Sequence, residues 1–68
     1  MKLGDKVTVK GLSRCLSKAG LYTYIDPPID VEGVVIEKAI FVTEKICVEF
    51  IHNFQKHMVW KDLADITT

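Results

Sequence analysis

The residue types that nucleophilic catalysis uses occur in this chain as Ser13, Cys15, Ser17, His52 and His57. Such catalysis needs a serine or cysteine beside a histidine that an acidic group orients. The sequence contains no GxSxG elbow or comparable motif that would bring these residues together. His57 lies in a segment with strand-like alternation, which favours a partly exposed strand histidine over a catalytic base. We therefore predict that the chain is not an enzyme.

The residues that bind metals in other proteins are present, but their spacing does not match a metal site. Cys15 and Cys47 show no CxxC spacing and no zinc-like arrangement with a histidine, so we expect free thiols, with Cys47 buried in a strand. Asp26, Asp30 and Glu32 flank a Pro-Pro turn without the spacing of a calcium loop, which favours solvated acids. No glycine-rich phosphate loop is present. We expect neither a metal nor a cofactor.

Charge is distributed unevenly along a chain whose formal net charge is zero. Residues 1–18 carry five cations against one acid, whereas residues 19–52 carry two lysines against six acids. Although the net charge is zero, the chain therefore has a basic N-terminal part and an acidic middle part.

The basic segment suggests one binding surface. Lys10, Arg14 and Lys18 predict a basic patch, and the neighbouring rings of Tyr22 and Tyr24 are suited to stacking on bases or gripping a peptide. The alternative, which we favour slightly, is that the acidic middle strands pair with the basic first strand and neutralise it. The sequence pI of about 6.7 also lies well below the values above about 9 that are typical of dedicated nucleic-acid-binding domains.

These residues must be positioned by short elements with a strand-like pattern. Residues 6–10 alternate as a half-buried strand, after which residues 11–30 are irregular and predict a long first loop. One alternative within that loop is a short helix over residues 12–19, whose apolar face would comprise Leu12, Cys15, Leu16 and Ala19.

The end of the irregular segment carries its own signals. Gly20 stands where a glycine would cap the short helix, and residues 21–25 alternate as a short strand. The prolines in residues 26–28 predict the end of that strand, because proline donates no ladder hydrogen bond.

The second half of the chain predicts a series of strands. The strongest signals are residues 32–38 and 46–51, where Gly33 predicts a sharp bend and the linking residues 39–45 are either a loop or an extension of both strands. A turn at residues 52–55 precedes the remaining elements, which are a strand at 56–60, a 3₁₀ turn at 61–63 and a last strand at 64–67. At this length we expect one domain, residues 1–68.

Four segments resemble SH3-like small barrels of bacteria and their phages: residues 3–9 (LGDKVTV), 32–35 (EGVV), 46–50 (ICVEF) and 62–66 (DLADI). The resemblance implies an SH3-like five-stranded barrel with a long first loop and a 3₁₀ turn before the last strand. A narrower set, residues 48–50, 54–57 and 62–63, is similar to the variable chain of ferredoxin–thioredoxin reductase.

The resemblance also implies where a ligand would bind. Tyr22, Tyr24 and Phe41 fall in the two segments that flank the usual cleft of SH3-like barrels, so we expect them in the contact surface. Trp60 is either a core residue or the edge of a binding face, and the core is favoured. With Lys10, Arg14 and Lys18, the tyrosines and Phe41 complete the expected binding site.

We therefore expect a non-catalytic protein-interaction module, such as a small accessory subunit or a phage-type modulator that docks on a larger protein. The alternative is a nucleic-acid-binding barrel that uses the basic first loop. No segment approaches the roughly 18–20 apolar residues of a membrane span, and the N-terminal residues show no signal-peptide pattern. We expect a cytoplasmic location and no membrane partner, and the oligomeric state stays open.

Overall fold

The computed structural model describes residues 2–17, 19–40 and 44–67. These residues form an all-β structure, which confirms the predicted class, and they contain no helix long and apolar enough to cross a membrane. The elements in chain order are β1 (Lys6–Ser17), β2 (Tyr22–Ile40), β3 (Glu44–His52), β4 (Gln55–Asp62), a single 3₁₀ turn (Leu63–Asp65) and β5 (Ile66–Thr67).

The four long strands pair in a closed ring. Each pairs antiparallel with the next, and β4 returns to β1 through residues 57–58 opposite residues 16–17. The short β5 pairs with residues 8–9 of β1. Closing the ring leaves none of the four long strands as a free edge, which is how small β proteins avoid edge-to-edge aggregation.

The short helix considered for residues 12–19 is wrong, because β1 continues as a strand to Ser17. The β1–β2 register shifts between Val9 and Leu12 and again before Arg14. Each irregularity resets the alternation of a strand, so Leu12 and Cys15 both reach the core at a spacing that also suits a helix.

The long first loop is also wrong, because this segment forms the end of a hairpin. Residues 14–16 of β1 pair with residues 22–24 of β2. Gly20, with φ of 86°, lies in the turn rather than at a helix end, and its N–H donates to the Ser17 carbonyl over 3.0 Å. The Leu21 N–H donates to the Ser17 hydroxyl over 3.2 Å, which further closes the turn.

The prolines do not end the strand as predicted, since β2 continues from Tyr22 to Ile40. Residues 25–28 have no partner on β1, because they fall where the register shifts. A proline there removes no ladder hydrogen bond to β1, so the strand tolerates it.

The β2–β3 link extends both strands, which decides between the two alternatives for residues 39–45. Ile40 pairs with Glu44 at the end of the hairpin, and residues 41–43 lie outside the described part of the chain.

The 3₁₀ turn is present but lies two residues later than predicted, at Leu63–Asp65 instead of residues 61–63. Asp62 is still part of β4, where it pairs with Lys45 of β3, and this pairing delays the turn. The last strand is correspondingly reduced to Ile66–Thr67.

The core fills the inside of the ring. Its apolar side chains come from all four long strands: Val7, Val9, Leu12, Cys15, Val35, Ile46, Val48, Phe50 and Val59. Gly33 is buried in β2 close to β3, and a Cβ built on it would stand 2.5 Å from the Glu49 carbonyl oxygen. Close approach of two backbones explains a glycine at this position more directly than the predicted bend.

Candidate functional site: an aromatic groove on the outside of the ring

An open groove of about 520 Å³ runs between the distal part of the β1–β2 hairpin and β4. We call it the aromatic groove. Its lining residues come from these three strands: Ser13, Arg14, Tyr24, Ile25, Asp26, Pro28, Val59, Trp60 and Lys61. A smaller hollow of about 180 Å³ shares Arg14, Val59 and Trp60 with it, and extends the same surface to Leu16, Tyr22 and Met58.

The strand register explains why these side chains share one face. Arg14 lies opposite Tyr24, and Leu16 lies opposite both Tyr22 and Met58. Directly paired residues point to the same side of a sheet, and residues two apart on a strand do so as well. Because the core takes Cys15 of β1, its neighbours Arg14 and Leu16 face outward.

Three aromatic rings on this face are open to solvent. The exposed fractions are 60% for Tyr22, 75% for Tyr24 and 42% for Trp60. Tyrosine and tryptophan offer large, stiff contact areas and are enriched among the residues that dominate binding energy at interfaces. The arrangement therefore offers a ligand a rigid aromatic surface.

Arg14 lies at the centre of this surface. Its guanidinium carbon stands 5.4 Å from the centroid of the Tyr22 ring, within the range of a cation–π interaction. Arg14 is exposed, so the hydrogen-bond donors of its guanidinium remain open to a ligand.

The ion pairs of the described residues lie elsewhere on the ring. They join β2, β3 and β4 through Lys38–Glu44 at 3.4 Å, Lys45–Asp62 at 3.3 Å and Lys56–Glu49 at 3.9 Å. None of them involves a cation of β1. The acidic strand β2 does pair with the basic strand β1, as the favoured expectation had it, but no ion pair among the described residues joins a cation of β1 to an acid.

The structure brings together three of the six predicted site residues, Arg14, Tyr22 and Tyr24. Lys10 is exposed on β1 but does not line the aromatic groove. Lys18 and Phe41 lie outside the described residues.

Trp60 lines the groove, whereas the sequence interpretation favoured a place in the core for it. The signal was present in the alternation of β4, where His57 and Val59 are buried. A strand that turns Val59 inward must turn Trp60 outward. Lys61, next in the chain, also lines the groove and was not singled out from the sequence.

Both cysteines are free and buried, as expected. Burial raises the pKa of the Cys15 thiol, which lies beneath the smaller hollow. Burial also raises the pKa of Cys47, and the nearby carboxylates of Glu37 and Glu49 raise it further. A raised pKa keeps a thiol protonated near neutral pH, so neither side chain has the thiolate character of a nucleophile.

His57 is buried, which corrects the expectation of partial exposure. Its ring stacks on Phe50 at 5.9 Å and meets His52 edge-on at 6.0 Å. No group of three or more potential metal ligands occurs among the described residues. The chemical groups that line the aromatic groove are exposed aromatic rings, the cations Arg14 and Lys61, and the acid Asp26.

Comparison of the chain with protein-family models, with curated proteins and with solved structures finds no match in any of the three.

Proposed function

We propose that this chain is an SH3-like small barrel that acts as a non-catalytic protein-interaction module, as a small accessory subunit or a phage-type modulator does. The aromatic groove would hold an extended segment of a larger protein. The observation that carries the proposal is the exposure of Tyr22, Tyr24 and Trp60 around Arg14 on one face of the ring.

The order and pairing of the elements support the barrel. Four antiparallel strands close in a ring, and a 3₁₀ turn leads into a short strand that returns to β1. The distal β1–β2 hairpin takes the place of the long first loop of SH3-like barrels, and it forms one wall of the groove.

The lining of the groove supports binding by contact. No histidine and no accessible thiol is among its lining residues, whose charged groups are Arg14, Asp26 and Lys61. Tryptophan, tyrosine and arginine are the types most often found at the energetic centre of protein interfaces. A groove that is open along its length suits a segment of chain better than a compact small molecule.

Nucleic-acid binding is the second candidate, because exposed rings beside Arg14 also suit base stacking. The zero net charge and the presence of Asp26 in the groove disfavour it. Single-stranded DNA or RNA would bind with an affinity that falls steeply as salt rises.

Selection from a display library of random short peptides tests the proposal. We expect the protein to enrich peptides that bind wild type but bind Tyr24→Ala and Trp60→Ala at least about tenfold more weakly, since interface hot spots contribute about 2 kcal/mol or more. Both substituted side chains are substantially exposed, so both variants keep the core.

Ile51→Ala is the matched control, because Ile51 is an exposed apolar residue of β3 outside the groove lining. Its peptide binding should equal that of wild type. Failure to enrich any peptide, together with salt-sensitive binding of labelled single-stranded oligonucleotides, would replace the proposal with the nucleic-acid alternative. Equal loss of binding in all three variants would also contradict a site in the groove.

A further inference from the structure

The charges of the aromatic groove indicate which peptides it takes. We propose that the groove recognises an extended peptide carrying an acidic side chain, which binds Arg14 and Lys61 while apolar neighbours pack on the exposed rings. This inference rests on the proposed function and specifies the chemistry of the partner.

Arg14 is held ready for a carboxylate. The cation–π contact with Tyr22 favours one position of the exposed guanidinium, and no ion pair in the described part of the chain occupies it. The guanidinium matches a carboxylate through two parallel hydrogen bonds, which is a strong and directional pairing. A side chain that is already ordered loses less entropy on binding.

Lys61 adds a second cation from the opposite wall. Its neighbour Asp62 pairs with Lys45 of β3 at 3.3 Å. No carboxylate of the described residues forms an ion pair with Lys61. Two cations from β1 and β4 therefore line the same groove, and neither of them forms an ion pair among the described residues.

Asp26 limits the amount of negative charge that the groove accepts. It is the one acid among the lining residues. A nucleic acid carries a negatively charged phosphate at every nucleotide, and several of these phosphates would be repelled by Asp26. A peptide with an isolated acidic residue among apolar ones avoids that repulsion, which is why we favour a peptide over a nucleic acid.

Charge reversal in the groove tests this inference. The random peptide library is selected on wild type and on the double variant Arg14→Glu/Lys61→Glu. We expect aspartate and glutamate to be enriched in the wild-type selection, and lysine and arginine in the selection on the double variant. Replacing the selected acid by its amide, glutamate by glutamine, should weaken binding to wild type by about tenfold or more.

Lys10→Glu is the matched control, because Lys10 is an exposed cation of β1 that does not line the groove. It should select the same acidic peptides as wild type. Groove-binding peptides without an acidic preference would overturn this inference and leave the proposed function standing. If no selected peptide depended on Trp60 for binding, both this inference and the proposed function would be overturned. If Lys10→Glu changed the selected peptides as much as the double variant does, the preference would come from the overall charge of the protein and this inference would be overturned.

Discussion

At the scale of single residues, Tyr24 and Trp60 form the main part of the proposed binding surface. Both leave much of an aromatic ring in water. Each buried aromatic ring contributes on the order of 2 kcal/mol from the area removed from water. A ligand that covers these rings gains this free energy on binding. Arg14, which lies between them, would orient the ligand through directional hydrogen bonds.

Phe54 adopts a backbone conformation that is unfavourable for a phenylalanine. It is fully exposed and adopts a φ of 63° beside Asn53 at 52°, in the two-residue turn between β3 and β4. Turns of this kind favour the pair Asn-Gly, because asparagine tolerates positive φ and glycine adopts it without steric cost. A phenylalanine in this position is strained.

Phe54→Gly should therefore stabilise the fold. Relief of the left-handed strain, about 1–2 kcal/mol, outweighs the entropy cost of glycine, about 0.5–1 kcal/mol, so we expect a net gain of about 0.5–1 kcal/mol in the free energy of unfolding. Denaturant unfolding measures it. Asn53→Gly is the matched control and should change stability little. A loss of stability in Phe54→Gly would mean that the ring makes contacts that stabilise the turn.

At the scale of elements, the two register shifts in β1 place Arg14. They turn Leu12 and Cys15 into the core and leave Arg14 facing the groove. A regular strand could not bury both Leu12 and Cys15, because residues three apart on a regular strand point to opposite sides. The irregularity of β1 is therefore what allows a core strand to present Arg14 beside the tyrosines.

The close approach of β2 to β3 depends on Gly33. A methyl group at this position would stand 2.5 Å from both the Glu49 carbonyl oxygen and the Val48 Cγ1 atom. Overpacking costs about 1–3 kcal/mol, and the cost is at the upper end here because a backbone atom must move.

Gly33→Ala should accordingly lower the free energy of unfolding by about 2–3 kcal/mol in denaturant unfolding. Glu32→Ala is the control at the neighbouring exposed position and should stay within about 0.5 kcal/mol of wild type. Equal stability of Gly33→Ala and wild type would show that the two strands do not approach as closely as described.

The elements also show what the sequence could predict. The sequence pattern located β3, and its alternating residues Ile46, Val48 and Phe50 all lie in the core. The segment from Leu12 to Cys15 misled the interpretation, because a strand with register shifts imitates the spacing of a helix. Local pattern alone does not reveal such shifts, since they depend on the pairing with β2.

At the scale of the molecule, closure of the ring creates the site. Arg14 and Trp60 are far apart in the sequence and become neighbours because β4 returns to pair with β1. The sequence supplied Arg14, Tyr22 and Tyr24 as a local cluster, but it gave no reason to join them to Trp60. Predicting the full groove requires the β1–β4 pairing, which is a long-range contact without a local signal.

The whole-molecule charge is neutral, and its distribution matters more than its total. The ion pairs of the described residues link β2, β3 and β4, while Arg14 and Lys61 stay open in the groove. The proposed site therefore has two cations and one acid, and the neutral chain lacks the general positive field that draws a protein to nucleic acids.

Trp60 is the single tryptophan of the chain, so its fluorescence reports directly on the aromatic groove. The most direct measurement is a titration with a library-selected acidic peptide that lacks tryptophan, following the emission maximum. We expect a saturable blue shift as the indole leaves water, absent for the glutamine form of the peptide at the same concentrations. Saturable binding, detected by calorimetry, with no change in Trp60 emission would place the peptide elsewhere and contradict the groove as the binding site.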